Sequence, residues 1–250
     1  STSRGLGDVY KRQIKPFMLR RLKTDVAKEL PPKTTIEVNI DMNDEQSKLY
    51  EAVRATMQDS IKQIIAQQGF KRSQIQILDA LLKLRQVCCH PSLLKLDGLL
   101  NLDSLPKDKN TVKLKTMRSA KLDYLIETVT DMVAEGRKIL IFSQFTSMLA
   151  LIEQRLQSEN IGFSKLTGKT KKRSEAIEAF QSGQVPVFLI SLKAGGVGLN
   201  LTTADTVIHY DPWWNPAAED QASDRAWRIG QDKPVFVLSL IHISEPTRRR

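Results

Sequence analysis

Residues 119–240 alternate between short apolar runs and longer amphipathic segments, and this alternation limits the possible folds more than any other feature. The apolar runs are continuous, which is typical of strands buried on both faces of a parallel sheet. The amphipathic segments predict helices that cover those faces. We therefore predict an α/β fold, with a mostly parallel sheet and helices on both faces. Strands are predicted at residues 138–142, 163–166, 185–191, 206–210 and 235–240, and helices at 121–135, 147–157 and 171–181.

The preceding part of the chain has a different pattern. Residues 34–41 alternate apolar and polar side chains, which predicts a strand. Asn43 is expected to cap a long helix, with Gln46 at the position that completes a capping box. A second helix is expected at residues 73–87. The segment before the α/β region is therefore predicted to be mainly helical.

Changes of composition divide the chain into parts. Residues 96–118 lack periodicity and contain Gly98 and Pro106, so we expect a linker there. Both ends resemble translated sequencing-adaptor sequence and are expected to be non-native. The expected parts are 1–13 (non-native), 14–95 (mainly helical), 96–118 (linker), 119–240 (α/β) and 241–250 (non-native).

The formal net charge of +10 favours a polyanionic partner such as nucleic acid, although a basic surface without a partner would have the same charge. The basic ends contribute to this value, which weakens the argument. No apolar run approaches the roughly twenty residues that cross a bilayer. No secretory signal is recognisable, so we expect neither a membrane partner nor export.

The two cysteines, Cys88 and Cys89, are adjacent, which disfavours a disulfide between them and fits a reducing, intracellular setting. His90 follows them directly. Adjacent cysteines have the wrong spacing for a chelate, and no second Cys/His pair completes four ligands. We therefore predict no metal site in the chain.

The segment 211–231 contains the most informative pattern. Asn215 and Pro216 are expected to begin a helix as N-cap and first helical residue, and Gly230 is expected to end it. A stripe of apolar residues on this helix would pack on the sheet. Its members are Ala218, Ala222, Ala226 and Ile229.

Gln221, Arg225 and Arg228 are spaced so that one face of this helix would present two guanidinium groups and an amide. Two arginines on an anchored face form a clamp suited to phosphate. The alternative is a solvated face on which Arg225 pairs with Asp224 or Glu219. Spacing alone does not distinguish the two.

Two loops carry glycines after predicted strands. Gly195, Gly196 and Gly198 would let backbone N–H groups approach phosphates, with Lys193 adding a charge, although tight turns also need glycine. Gly168 begins the string Gly-Lys-Thr that ends a P-loop. The required glycine five residues earlier is replaced by Phe163, so the chain has no complete P-loop.

The segment 211–231 closely resembles the sixth helicase motif of the Swi/Snf-type ATPases, a branch of the superfamily-two DEAD/DEAH-box helicase-like enzymes. Ser143 and Gln144 resemble part of the fourth motif, and residues 191–202 match the fifth. Residues 15–33 resemble the end of the first ATPase lobe. The resemblance implies a second RecA-like lobe, preceded by the end of the first.

The resemblance also implies site residues. Catalytic groups facing the nucleotide would be Gln221, Arg225 and Arg228, and ATP would further be approached by Gly196, Gly198, Asn200 and Asp224. DNA contacts would come from Ser143, Gln144, Thr167, Gly168, Lys169, Ser191, Lys193, Ala194, Gly195 and Trp213.

The implied activity is ATP-dependent translocation on double-stranded DNA, which remodels protein–DNA complexes. ATP and Mg²⁺ would be the cofactors, with the P-loop lysine and the magnesium ligands on the first lobe, so this chain alone is expected to be inactive. Expected partners are double-stranded DNA, the first lobe, and proteins such as RNA polymerase or chromatin proteins. The expected location is the cytoplasm and nucleoid of a prokaryote or the nucleus of a eukaryote.

Two alternatives remain open. One is the lobe of an RNA helicase, against which the Trp-Trp-Asn-Pro string at 213–216 and the Arg-Ile-Gly-Gln string at 228–231 argue. The other is a non-catalytic module that binds DNA or a protein partner, for which a basic surface would suffice.

Overall fold

The structure is a computed structural model, and it describes residues 30–94, 114, 116–194, 199–213 and 215–242. It contains a six-stranded sheet in which every neighbouring pair of strands is parallel. The strands are β1 Lys33–Ile40, β2 Ile139–Ser143, β3 Phe163–Leu166, β4 Val187–Ser191, β5 Thr206–His209 and β6 Val235–His242. Their order across the sheet is β1-β6-β5-β2-β4-β3.

Helices flank the strands along the chain. They are α1 Asp44–Gln68, α2 Gln74–Cys89, α3 Ala120–Ala134, α4 Thr146–Ser158, α5 Arg173–Gln181 and α6 Pro216–Ser223. Short 3-10 turns lie at Phe70–Ser73 and Pro91–Leu93. None of the helices in the described part of the chain has the length and apolar character of a membrane span.

The central strand β2 shows why its apolar run is continuous. Ile139 and Ile141 lie in one buried cluster with residues of α3 and α4, such as Leu125 and Leu149. Leu140 and Phe142 lie in the cluster on the opposite face, together with Phe180 of α5 and Ala222 of α6. Because successive side chains of a strand point to opposite faces, burial on both faces requires an unbroken apolar sequence. The predicted α/β fold with helices on both faces is confirmed.

Strand β1 occupies a place that the sequence pattern did not indicate. It pairs along its whole length with β6, from Lys33 opposite Val235 to Ile40 opposite His242. The composition places residues 34–41 in the mainly helical segment 14–95, whereas their strand is an edge of the same sheet as the α/β region. The division of the chain into parts stays a prediction, but the sheet extends across it.

Helices α1 and α2 pack together through a third apolar cluster, which includes Val53, Met57 and Val87. Asn43 caps α1 as predicted, because its Oδ1 accepts the backbone N–H of Gln46 at 2.8 Å. The capping-box role of Gln46 was wrong. Its fully buried side chain donates from Nε2 to the carbonyl oxygens of Val87 and Cys88, at 2.8 and 3.3 Å, and its Oε1 accepts from the N–H of Ala120.

The two chain ends are outside the described residues, with one exception. Ile241 and His242, which fall in the segment 241–250 expected to be non-native, continue strand β6 opposite Asn39 and Ile40. Residues 1–13 and 243–250 are not described, so the origin of both ends stays a prediction. The linker 96–118 is described only at residues 114 and 116–118.

Candidate functional site

The predicted site residues follow four strands, and the parallel sheet brings these strand ends to one edge. Ser143 at the end of β2 lies opposite Ser191 at the end of β4. His209 at the end of β5 lies opposite Phe142, and Leu166 at the end of β3 lies opposite Ile190. Ligands of open α/β sheets bind at this carboxyl edge. Loops that are far apart in sequence therefore form one surface.

An open groove of about 670 Å³ lies on this surface. Six of the ten residues predicted to contact DNA line it, namely Gln144, Thr167, Gly168, Lys169, Ser191 and Lys193. Thr146, Ser147, Lys165 and Thr170 complete the lining. Lys165 is paired with Glu153, whereas Lys169 and Lys193 form no ion pair within the described residues. The groove therefore combines hydroxyls, an amide and two lysines without an acidic partner.

The loop after β3 is a compact turn. The hydroxyl of Thr170 accepts the N–H of Thr167 at 2.9 Å, and the N–H of Thr170 donates to the carbonyl of Thr167 at 3.1 Å. The Thr167 hydroxyl also accepts from the N–H of Lys169 at 3.3 Å. Because Thr170 is engaged in its own turn, the Gly-Lys-Thr string here has the structure of a strand-end turn. Its exposed members are Gly168 and Lys169.

Two other predicted DNA contacts, Ser143 and Ala194, do not line the groove. Ser143 is fully buried, and its hydroxyl accepts the N–H of Phe145 at 3.1 Å, so it shapes the turn under Gln144. Ala194 is also buried, with its N–H donated to the Ser191 hydroxyl at 3.3 Å. Its carbonyl accepts from Arg173 Nη2 at 2.8 Å, a contact that the sequence did not indicate. Gly195, Gly196 and Gly198 lie outside the described residues.

Trp213 lines an adjoining pocket of about 400 Å³ with Gln144, Lys193 and apolar side chains. Behind it lies Arg85 of α2, which the sequence analysis did not single out. The Arg85 guanidinium is 5.5 Å from the Trp213 ring, donates from Nη2 to the carbonyl of Pro212 at 2.7 Å, and donates from Nη1 to Gln144 Oε1 at 3.3 Å. In the sequence, the feature that could have pointed to Arg85 is a charged side chain within the largely apolar helix 74–89.

Asp211 completes this buried cluster. Its Oδ2 accepts the backbone N–H of Gln144 at 3.1 Å, and the side chain is 2% exposed. Burial raises the pKa of Asp211 to about 6, although hydrogen bonds from Ser143 and Gln144 and the charge of Arg85 act in the opposite direction. The carboxylate thus bears a desolvation cost that its partners only partly offset.

The arginine segment begins as predicted but ends early. Asn215 caps α6, its Oδ1 accepting from the N–H of Ala217 at 3.1 Å, with Pro216 as first helical residue. The expected end at Gly230 was wrong, because α6 stops at Ser223. The N–H groups of Arg225 and Ala226 donate to the carbonyls of Ala222 and Ser223, three residues earlier, at 3.3 and 3.1 Å, so the chain leaves the helix in tighter turns. Leu201 N–H and Gln231 Nε2 then take the carbonyls of Arg225 and Ala226, both at 3.0 Å, so no α-helix resumes before Gly230.

The predicted helical face of Gln221, Arg225 and Arg228 does not form, since the arginines lie beyond α6. Gln221 is exposed on the helix. Arg225 is only 8% exposed; its Nε donates to the carbonyl of Gln221 at 3.4 Å, and its guanidinium is 5.9 Å from the Phe142 ring. Arg228 is half-buried, with Nη1 3.5 Å from the carbonyl of Leu199.

Arg225 carries the unusual electrostatics of this segment. Burial lowers the pKa of its guanidinium, and its Nη1 is buried without a hydrogen-bond partner among the described residues. The alternative pairing was wrong, because Arg225 forms no ion pair with Asp224 or Glu219. Glu219 Oε1 instead accepts the N–H of Trp213 at 2.7 Å. Arg225 Nη1 is therefore an unused donor that could form a hydrogen bond to an anion.

The remaining predictions for this region have mixed outcomes. Ala222 and Ala226 are buried as the apolar stripe requires, whereas Ile229 is 83% exposed because the helix has already ended. Asn200 is exposed, and its carbonyl accepts from Gln181 Nε2 at 2.5 Å. Asp224 caps the end of α6 and lies 4.0 Å from Lys33 Nζ.

The described part of the chain holds no group of three or more His, Cys, Asp or Glu side chains that could bind a metal ion. Cys88 and Cys89 are both buried and free. The expectation that the chain has no metal site stays a prediction.

Comparisons with known proteins agree with the fold. Residues 6–93 match the SNF2-related domain, and residues 120–230 match the helicase conserved C-terminal domain. The C-terminal domain of the Sulfolobus solfataricus SWI2/SNF2 ATPase has a TM-score of 0.61 and 32% identity, with 84% of this chain and 80% of that chain covered. The chain belongs to the Swi/Snf-type ATPases.

Longer members of the Swi/Snf-type ATPases are also similar. The Bacillus subtilis putative ATP-dependent helicase/translocase YwqA is 39% identical over 233 residues, which are 91% of this chain and 24% of that protein. The Sulfolobus solfataricus SWI2/SNF2 ATPase core in complex with double-stranded DNA has a TM-score of 0.65 and 34% identity, covering 94% of this chain and 47% of that chain. The chain therefore spans about a quarter of that curated relative and about half of a solved core.

Proposed function

We propose that this chain forms the second RecA-like lobe of an ATP-dependent translocase that moves on double-stranded DNA and remodels protein–DNA complexes. The observation that carries the proposal is the groove at the carboxyl edge of the sheet, where six predicted DNA contacts meet around two unpaired lysines. The DNA named in the similar Sulfolobus complex supports the same assignment.

The chemistry of the groove suits a phosphate backbone. Hydroxyls of Thr167 and Ser191 can donate to phosphate oxygens, and Lys169 and Lys193 supply positive charge. Such contacts position a strand without reading its bases. Because each neutralised phosphate releases counterions, binding is expected to weaken as salt rises.

ATP would be held between this lobe and the first lobe. Arg225 and Arg228 would face its terminal phosphate, where arginine fingers in general accelerate hydrolysis by about 10³–10⁵-fold. The unused Nη1 of Arg225 is a donor that fits such an anion. Since Arg225 is 8% exposed, contact with ATP requires the arginine segment to rearrange when the lobes meet. Mg²⁺ would be held by acidic side chains of the first lobe.

The burial of Arg225 also favours the second candidate, a module that binds DNA without a catalytic role. Arg225→Ala in the full-length protein separates the two. The translocase predicts a loss of kcat for ATP hydrolysis of about 10³-fold or more with DNA binding retained. Normal hydrolysis in this variant would leave the non-catalytic module as the better account.

The groove is tested by replacing its unpaired lysines. In the Lys169→Ala/Lys193→Ala double variant, the DNA concentration that half-maximally stimulates hydrolysis should rise about tenfold, and its dependence on salt should become shallower. Lys62→Ala is the matched control, because Lys62 is an exposed lysine on α1 outside the groove. Equal effects of the control and the double variant would contradict the placement of DNA in this groove.

A further inference from the structure

Gln144 is held from two sides. Its backbone N–H donates to Asp211 Oδ2 at 3.1 Å, and its side-chain Oε1 accepts from Arg85 Nη1 at 3.3 Å. Asp211 and Arg85 also attract each other, since the charge of Arg85 acts to lower the pKa of Asp211. The backbone and the amide of Gln144 are therefore held by one buried pair of opposite charges.

Arg85 decides which end of the Gln144 amide faces it. A guanidinium can only donate, so it selects the orientation in which Oε1 points toward Arg85. Nε2 is then buried, and the Gln144 side chain acts to lower the pKa of Asp211. The amide is thus fixed inside the cluster with Arg85 and Asp211, where it holds the turn after β2 in place.

The same guanidinium also holds the second DNA-facing element. Arg85 Nη2 donates to the carbonyl of Pro212 at 2.7 Å, and the guanidinium lies 5.5 Å from the ring of Trp213. A planar guanidinium can serve Gln144, Pro212 and the ring at once, which a lysine ammonium cannot do. The strand-end loops of β2 and β5 are therefore joined through one side chain of α2.

We propose that Arg85 is a positioning residue that holds Gln144 and Trp213, and with them the strand-end loops of β2 and β5, in the geometry that DNA binding in the groove requires. The inference rests on the proposed function of the groove. Arg85 itself is 8% exposed and acts through these two neighbours. Because α2 lies in the SNF2-related part of the chain, Arg85 connects that part to the proposed DNA-binding loops of the helicase C-terminal part.

The test is a double-mutant cycle in the full-length protein, read as the DNA concentration that half-maximally stimulates ATP hydrolysis. Arg85→Met and Gln144→Ala should each raise this concentration about tenfold, since each breaks the same buried contact that holds the strand-end loops. The double variant should then need no more DNA than the more impaired single variant, because the effects of substitutions at residues that act as one unit are not additive. Arg85→Lys should raise the concentration by an intermediate factor, since lysine keeps the positive charge beside Asp211 but lacks the planar guanidinium with its several N–H donors.

Lys83→Met is the matched control. Lys83 lies on the same helix and is also 8% exposed, and its ion pair among the described residues is with Asp79 of its own helix, 3.2 Å away. Its replacement should therefore leave DNA stimulation at the wild-type level. If Arg85→Met does not fold, the cycle of Arg85→Lys with Gln144→Ala replaces it.

Two outcomes overturn the inference alone. One is wild-type DNA stimulation in Arg85→Met or Arg85→Lys, and the other is a double variant whose defect equals the product of the two single defects. A wild-type protein whose hydrolysis does not respond to DNA would instead overturn the proposed function, and this inference with it.

Discussion

The indole N–H of Trp227 donates a 2.7 Å hydrogen bond to the carbonyl oxygen of Pro31, 196 residues earlier in the chain. Lys33 lies beside this contact, with its Nζ 5.5 Å from the indole ring and 3.5 Å from Asp220. The segment that carries Arg225 and Arg228 is thereby attached to the residues that lead into β1. Its position depends on chain that precedes the α/β region.

Trp227→Phe removes the donor of this contact and keeps an aromatic ring. The carbonyl of Pro31 then loses its partner, and we expect the free energy of unfolding to fall by about 1–2 kcal/mol. Because the arginine segment loses an anchor, kcat for ATP hydrolysis in the full-length protein should fall as well. Urea denaturation and steady-state kinetics measure the two effects. Ile229→Ala, at an exposed position of the same segment, should change neither.

Asp211→Asn should stabilise the protein at neutral pH. The folded-state pKa of Asp211, about 6, lies above the unfolded value near 3.8, so the folded state binds the proton more tightly. This group's contribution to stability is therefore complete below pH 4 and is lost as pH rises through about 6. The cost of the charge at pH 7 is up to about 3 kcal/mol, which the neutral amide avoids. Chemical denaturation of both proteins at pH 5 and pH 7 tests this, and equal stabilities at pH 7 would contradict it.

His90 should have the opposite pH dependence. Burial lowers its pKa to about 4 from 6.5, and the charge of Asp123 opposes this shift. The unfolded state therefore binds the proton first, and stability falls as pH drops from 6.5 toward 4 by up to about 3 kcal/mol. His90→Asn keeps an acceptor for the N–H of Ser92, which His90 Nδ1 accepts at 3.1 Å. The variant should lose less stability than the wild type between pH 7 and pH 5, measured by urea denaturation at each pH. A parallel loss in both proteins would assign the acid sensitivity to other groups.

Gln46→Ala should be among the most destabilising changes on α1. The substitution leaves the carbonyl of Val87 without its side-chain partner and opens a cavity between α1, α2 and α3, so we expect a cost of about 2–4 kcal/mol. Gln63→Ala is the matched control, because Gln63 is an exposed glutamine on the same helix. Thermal melting of both variants provides the comparison, and equal melting temperatures would show that the buried amide contributes little.

Much of the fold could be predicted because its signals are local. The continuous apolar run of β2 and the helical periodicity of α3 identify their elements within a residue or two of the observed bounds. The cap of α1 by Asn43 was also readable, since it needs only neighbouring residues. The place of β1 was not, because its partner β6 begins about two hundred residues later and leaves no mark on the sequence of β1.

The end of α6 shows the same limit at the site. Residues 216–229 have a helical pattern, but the chain tightens after Ser223, where the N–H groups of Arg225 and Ala226 donate to carbonyls three residues earlier. Leu201 and Gln231, which lie outside the helix, then occupy the carbonyls of Arg225 and Ala226. Helical spacing contains neither of these contacts, so the face that it predicted was wrong.

The sequence by itself determined the type of each element, the α/β class and the strand-end loops that hold the candidate DNA contacts, because periodicity and capping act between neighbouring residues. Only the tertiary structure decided that Arg85 contacts Gln144, that the Asp211 carboxyl is buried with a raised pKa, and that the Arg225 side chain is buried. These three features depend on burial and on contacts between distant segments. Electrostatic free energies follow from that environment, which no local pattern contains.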